Sequence, residues 1–368
     1  MKLHYSIRYY NFRLLILTIA LAVIGVMAVG SADASLENRQ LMGVIAGSVI
    51  MLILSFIDYV FLIKFNIVYY IANLVLLFMV IFLGESGNGA QRWIKIMGIQ
   101  FQPSELCKIV VILCLAGFIG KHYEDLNSFR YIILSVVLFI FPAVLVYIQP
   151  DLSTTIIICL IFATIMFVSE TSWKIILGGI SILVPILLIL VYLIMQPDQK
   201  IVSNYQKSRI MSFFNKEETK NDEGYQQEYS VLAIGSGQLS GKGYRNNEIY
   251  SVKNADFIAE QQTDFIFAVI GEEFGFIGTG SIIVLIFLIT TECFLTAFRA
   301  KDMAGRIIAA GVGAHIGFQG FINIGVVTYL LPNTGLPLPF VSYGLTSLIC
   351  SFIGIGFVLN VGLQCDEK

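Results

Sequence analysis

Charge is what this chain has least of. Only 13% of its 368 residues are Asp, Glu, Lys or Arg, and 57% are hydrophobic, against roughly 25% charged in soluble domains. That scarcity excludes a soluble single domain. Basic patches and acidic tails are also missing. The 23 Lys and Arg nearly balance 25 Asp and Glu for a net charge of −2, so no nucleic-acid partner is indicated and membrane or lipid-borne partners remain. Disulfide candidates are lacking too. The cysteines (Cys107, Cys114, Cys159, Cys293, Cys350, Cys365) are scattered, five of them in or beside apolar runs and none in the longest polar segment. They read as small apolar fillers.

What the chain has instead is a series of apolar runs. About 20 such residues at 1.5 Å rise cross a ~30 Å hydrocarbon layer. Ten candidate spans follow: Leu14 to Gly30, Gln40 to Ile57, Ile67 to Leu83, Ser104 to Gly120, Tyr131 to Ile148, Leu152 to Ser169, Lys174 to Met195, Phe265 to Phe298, Met303 to Leu331 and Phe340 to Val361. The expected fold is an all-α polytopic membrane protein with ten transmembrane helices, one membrane domain over residues 1–368. Residues 196–263 are read as an extracytoplasmic loop between helices 7 and 8, because 17 of the chain's charges fall there. With a cytoplasmic N-terminus, the inner segments carry Lys2, Arg8, Arg13, Lys64, Lys121, Arg130, Lys174, Arg299, Lys301, Arg306 and Lys368, and the short outer loops only Arg39, Arg92 and Lys95. The positive-inside rule then puts both termini in the cytoplasm. Ala32-Asp33-Ala34 after the first run imitates a signal-peptidase site, but the run is longer than a usual signal core and is expected to stay as a span.

Ionisable groups at membrane depth cost several kcal/mol unless paired or wet, so they mark functional candidates, and here they gather on the outer side. Pro103 opens the fourth span, and Glu105 and Lys108 share a face at i, i+3. They form either a local ion pair beside a helix dipole or part of a polar cavity. Arg92 is an outer cation whose forked donors suit phosphate oxygens. In the tight turn Gln149-Pro150-Asp151-Leu152-Ser153-Thr154, Asp151 is either a helix cap or a group that orients Arg92 or Lys108 or holds a divalent cation. Asp264 stands where the polar segment enters the eighth span, and Glu272 and Glu273 lie two turns deeper. Two adjacent carboxylates there each need a partner or water. The run Gly235-Ser236-Gly237-Gln238-Leu239-Ser240-Gly241-Lys242-Gly243 fails as a phosphate loop on spacing and context, and a mobile glycine-rich loop is expected. Leu331 to Gly344 carries three prolines, so it cannot be helical throughout and must line a cavity or be covered.

These residues resemble the SEDS family, whose members include the RodA, FtsW and SpoVE proteins. Gln91-Arg92-Trp93, Phe101-Gln102-Pro103-Ser104-Glu105, Gln149-Pro150-Asp151-Leu152, Gly235-Ser236-Gly237, Gly241-Lys242-Gly243, Thr263-Asp264-Phe265-Ile266-Phe267-Ala268 and Gly335-Leu336-Pro337-Leu338-Pro339-Phe340-Val341-Ser342-Tyr343-Gly344 carry the likeness, in order over most of the chain. RodA-type members are the nearest match. The chain departs from the family pattern at Tyr244-Arg245-Asn246-Asn247-Glu248 and at Gly344-Leu345-Thr346-Ser347. The resemblance implies a bacterial cytoplasmic-membrane glycosyltransferase that polymerises lipid II into glycan strands for elongation or division, beside a class B penicillin-binding protein. It implies Asp264 as the catalytic base. Arg92, Lys108, Glu105, Asp151, Gln149 and Ser342 are the expected substrate-binding residues, with no metal ligand assigned and a divalent cation, Mg or Mn, left open. A transporter that flips a lipid-linked precursor would also use buried charges and broken helices. It predicts inverted repeats, and none is visible. A noncatalytic scaffold would not depend on Asp264.

Overall fold

The chain is described by a computed structural model covering residues 10–87, 90–96, 99–194, 196, 209, 211, 213, 223–245, 258 and 260–364. The helices are α1 (Phe12–Ala32), α2 (Glu37–Ser55), α3 (Tyr59–Ile63), α4 (Asn66–Leu83), α5 (Pro103–Lys121), α6 (Phe129–Ile148), α7 (Leu152–Val168), α8 (Trp173–Ile194), α9 (Glu223–Ser236), α10 (Ile266–Arg299), α11 (Met303–Val327) and α12 (Leu345–Leu363). Among the described residues, eight of them (α1, α2, α4, α5, α6, α10, α11, α12) are long and apolar enough to cross a membrane. Each expected span overlaps one helix. The tenth starts at Leu345 rather than Phe340, because the proline-rich segment stays irregular up to Gly344. Helix α7 is only 17 residues long, as its cap Asp151 and the turn after Val168 leave no room for more.

Among the described residues the strands form a small antiparallel meander. Strand β1 (Glu85–Gly87) pairs with β2 (Ala90–Ile96), which pairs with β3 (Ile99–Phe101), so that Gly87 faces Ala90 and Ile96 faces Ile99. It carries Arg92 and delivers the chain to Pro103, the first residue of α5.

Helices α5, α11 and α12 form the centre, with α2 along α12, α4 along α5, α7 against α11 and α10 lying between α1 and α11. Their outward faces are apolar and uncovered, as at Ile67, Val68 and Phe82 on α4 and Phe287 and Phe298 on α10. Such a surface suits lipid and not water, and the protein is a multi-pass membrane protein. The small residues of the eighth and ninth spans serve the bundle itself: Gly311 faces Ile112, Gly313 faces Cys293 and Gly317 faces Thr290, while Gly280 faces open space.

Of the polar segment 196–263, α9 docks on the end of α11. A helix C-terminus leaves carbonyls without intrahelical donors, and here Gln227 Nε2 donates to Val326 O (2.8 Å) and Leu331 O (2.9 Å) while Ser230 Oγ donates to Val327 O (2.7 Å). The remainder, residues 197–208, 210, 212, 214–222, 246–257 and 259, lies outside the described residues, and with it most of the expected loop.

The glycine-rich run is packed, and the expectation of a mobile loop is corrected here. Helix α10 breaks at Gly275 (φ 63°, ψ −155°), which strips partners from the flanking backbone. Residues 237–243 replace them. Lys242 N donates to Glu272 O (2.9 Å) and Gly243 N to Glu273 O (3.0 Å), while Phe276 N donates to Gln238 O (2.8 Å). The approach is close enough that a Cβ on Gly241 would sit 2.1 Å from Glu273 O.

Candidate active site

Asp264 occupies the turn before α10, and its surroundings fix the backbone on both sides. Asn323 Nδ2, on α11, donates to Asp264 O (2.8 Å) and to Leu336 O (2.6 Å), so one amide ties the turn to the proline-rich segment. Ser342 closes the other side: its hydroxyl donates to Thr263 O (2.6 Å) and accepts from Leu338 N (2.7 Å), and Tyr343 N donates to Gln262 O (2.9 Å). Irregular backbone is thereby satisfied, as membrane depth requires. Between the two clamps lies Gly335 (φ 70°). A Cβ there would stand 2.8 Å from Arg209 Nη1 and 3.2 Å from Asp264 Oδ2, so both side chains converge on the bare glycine.

The Asp264 carboxyl is half-buried, and burial is the main cause of a pKa raised to about 6. Arg209 opposes that shift, Glu260 reinforces it, and Arg92 and Asp151 act more weakly as a cation and an anion. Arg92 is 8% exposed. Its guanidinium donates to Pro150 O and lies 4.0 Å from Asp151 Oδ1, leaving Nε with no partner among the described residues. Asp151 caps α7 by accepting from Thr154 N (3.2 Å), and its other oxygen accepts from Ser104 Oγ (3.1 Å) and Gln102 Nε2 (3.2 Å). Ser153 donates to Thr334 O, which links this turn to Gly335. A carboxyl tuned toward neutrality, two guanidiniums and a wall of constrained backbone are the parts that proton abstraction beside a phosphorylated leaving group requires.

The cell cycle protein family of FtsW, RodA and SpoVE matches residues 5–366. The chain belongs to this family. Among its relatives, the peptidoglycan glycosyltransferase MrdB of Escherichia coli (strain K12) is 33% identical over 351 residues, 95% of this chain and 92% of MrdB. The rod shape determining protein RodA of Thermus thermophilus is similar in structure, at 27% identity and a TM-score of 0.70 over 98% of each chain. So is a chain from a study of structural coordination of polymerization and crosslinking by a peptidoglycan synthase complex, at 27% identity and a TM-score of 0.79 over 96% of this chain and 97% of that one.

In this FtsW/RodA/SpoVE member the other expected site residues divide. Lys108 is fully buried and donates to Glu105 Oε1 (2.9 Å) and Gln319 Oε1 (2.6 Å), and Gln319 Nε2 donates on to Pro337 O (2.9 Å). The pair therefore holds the proline-rich segment from behind. Gln149, buried after α6, donates to Leu77 O (2.9 Å) and joins α4 to the Asp151 turn. The deep carboxylates are occupied elsewhere: Glu272 pairs with Lys242 (2.7 Å) and Glu273 accepts from Ser31. Sequence reasoning missed Arg209, Gln319 and Asn323. The last two were legible as polar residues one turn apart on an apolar helix, whereas Arg209 was one charge among 17 in the loop.

Among the described residues no three His, Cys, Asp or Glu side chains cluster as a metal would need. Both Asp151 oxygens accept hydrogen bonds, and the charged group acting most strongly on Asp264 is the Arg209 cation.

Proposed function

We propose that this chain is a peptidoglycan glycosyltransferase that polymerises lipid II at the outer face of the cytoplasmic membrane, with Asp264 as general base. The acceptor sugar's 4-hydroxyl attacks the donor's anomeric carbon, a new C–O bond forms, and the bond to undecaprenyl pyrophosphate breaks with its electron pair leaving on the pyrophosphate. The hydroxyl proton passes to Asp264, and Arg92 faces the charge that develops on the leaving group. The turn at Gln149 to Asp151 holds Arg92, Ser342 and Asn323 hold the Asp264 backbone, and Glu105 and Lys108 act through Gln319 rather than by touching substrate. Asp264 carries this reading: a half-buried carboxyl raised to about 6 converges with Arg209 on Gly335, in the turn that opens α10. The flippase alternative would use buried charges, and the deep carboxylates Glu272 and Glu273 are engaged by Lys242 and Ser31.

In the same reading the chain is one membrane domain with 196–263 outside and both termini inside, and it works beside a class B penicillin-binding protein. The peptidoglycan synthase complex among its structural relatives supports such a partner. The test is purified chain with labelled lipid II and its transpeptidase, with other polymerases inhibited. Glycan polymer is expected, and its absence overturns the reading. In a cysteine-free background, Lys216→Cys should label from outside and Lys301→Cys only after permeabilisation; the reverse pattern inverts the topology.

A further inference from the structure

We propose that Arg209, delivered by the polar segment 196–263, pairs with Asp264 across Gly335 and holds the base ionised and aimed at the acceptor hydroxyl. The proposal rests on the reading of Asp264 as base. Its geometric ground is the convergence of Arg209 Nη1 and Asp264 Oδ2 on one point, the place a Cβ of Gly335 would take. A glycine with φ 70° is what permits that convergence, since any side chain would stand between the two groups.

The chemical ground is a conflict that the site has to resolve. A general base must be a carboxylate before substrate arrives, yet burial disfavours the charged form. Four charged groups act on Asp264: Arg209 and Arg92 favour ionisation, and Glu260 and Asp151 disfavour it. Arg209 is the strongest of them. Arg92 is already committed to Pro150 O and Asp151, so it answers to the leaving-group side of the site. Guanidinium suits the task because it stays protonated at every working pH and presents a fork that fixes a carboxylate's orientation. The consequence is that the outer segment forms part of the active site. Where Arg209 sits decides whether Asp264 can accept a proton, which makes Arg209 a positioning residue.

The experiment is a pH profile of lipid II polymerisation by the full chain in liposomes with its transpeptidase partner. Wild type should lose activity as pH falls through about 6. Removing the cation raises the base's pKa, so Arg209→Gln should move this acid limb up by about one pH unit, lowering the rate about tenfold on the limb with recovery at alkaline pH. Arg209→Met, which keeps an unbranched stem without the charge, should do the same, and Arg209→Lys should keep the limb near its wild-type place. Glu260→Gln removes a charge of opposite sign and should move the limb down. An unmoved limb in the glutamine and methionine variants, whether rate is kept or lost at all pH values, overturns the proposal. If both fail to fold, Glu260→Gln decides, and an unmoved limb there overturns it. Asp264→Asn, run in parallel, separates the two readings: activity in that variant sinks the assignment of the base, whereas an inactive Asn variant with unmoved limbs sinks only the role of Arg209.

Discussion

Two irregular points of backbone lie eleven residues apart in sequence, the turn at Asp264 that opens α10 and the break at Gly275 inside it, and they have opposite fates. At Gly275 the freed backbone is answered. The 237–243 backbone donates to the freed carbonyls of Glu272 and Glu273 and accepts from Phe276, and the two carboxylates take Lys242 and Ser31. At Asp264 the backbone is answered equally well by Asn323, Ser342 and Tyr343, but the carboxylate is left half-buried among two cations and two anions, with Arg92 Nε, Asn333 Oδ1 and Thr334 Oγ1 lacking partners among the described residues. A buried carboxylate in an apolar span is therefore an ambiguous signal. A closed set of partners makes it structural, and a rigid frame around an imperfectly compensated charge makes it available for chemistry.

The strongest way to break this comparison is Asp264→Asn. It keeps size and most hydrogen bonding and should cut polymerisation 10²- to 10⁴-fold, roughly 3–5 kcal/mol of barrier, with expression intact; near-normal rate would mean that the two points do not differ in kind. The same variant sharpens the point through stability. The folded pKa of about 6 lies above the ordinary 3.8, so the native state is penalised for an ionised Asp264 above pH 6 and not below about 3.8. Asp264→Asn should then be more stable than wild type at pH 8, by up to about 3 kcal/mol, with the gain fading as pH falls from 6 toward 4 in thermal unfolding in detergent.

On the structural side, Gly241→Ala forces a Cβ against Glu273 O at φ 79° and should cost about 1–3 kcal/mol, read as a lowered unfolding temperature. Glu272→Gln should have the smallest effect. Lys242 is 23% exposed at its side chain and can turn to water, so about 1 kcal/mol of stability should go, with the polymerisation rate per folded molecule unchanged. A collapse of that rate at full stability would move Glu272 to the functional side.

Part of the candidate site was legible before any fold was known. Asp264, Arg92 and Asp151 stood out because each is an ionisable residue at the rim of an apolar run, and the electrostatics bring the three together. The chain order of the spans was equally plain, since hydrocarbon thickness alone sets their length. The expectation that Glu272 and Glu273 each need a partner holds, with Lys242 and Ser31 in that place, whereas the sequence misled at the glycine-rich run, because spacing along a chain says nothing about which distant segment repairs a broken helix. Arg209 was invisible for the same reason.

Composition by itself determined that this is a multi-pass membrane protein, because burying so many apolar residues and so few charges leaves lipid as the only matching solvent. Local pattern determined where most helices run and where proline forbids them. Tertiary structure alone decided which partner each polar residue meets: Lys108 reaches Gln319, Ser342 holds the backbone of Thr263, Glu272 is half of an ion pair, and burial raises the pKa of Asp264. Those outcomes depend on groups 30 to more than 200 residues away, such as Lys242 for Glu272 and Gln319 for Lys108. At membrane depth a polar atom takes its role from whatever partner the packing supplies, since no water is there to substitute.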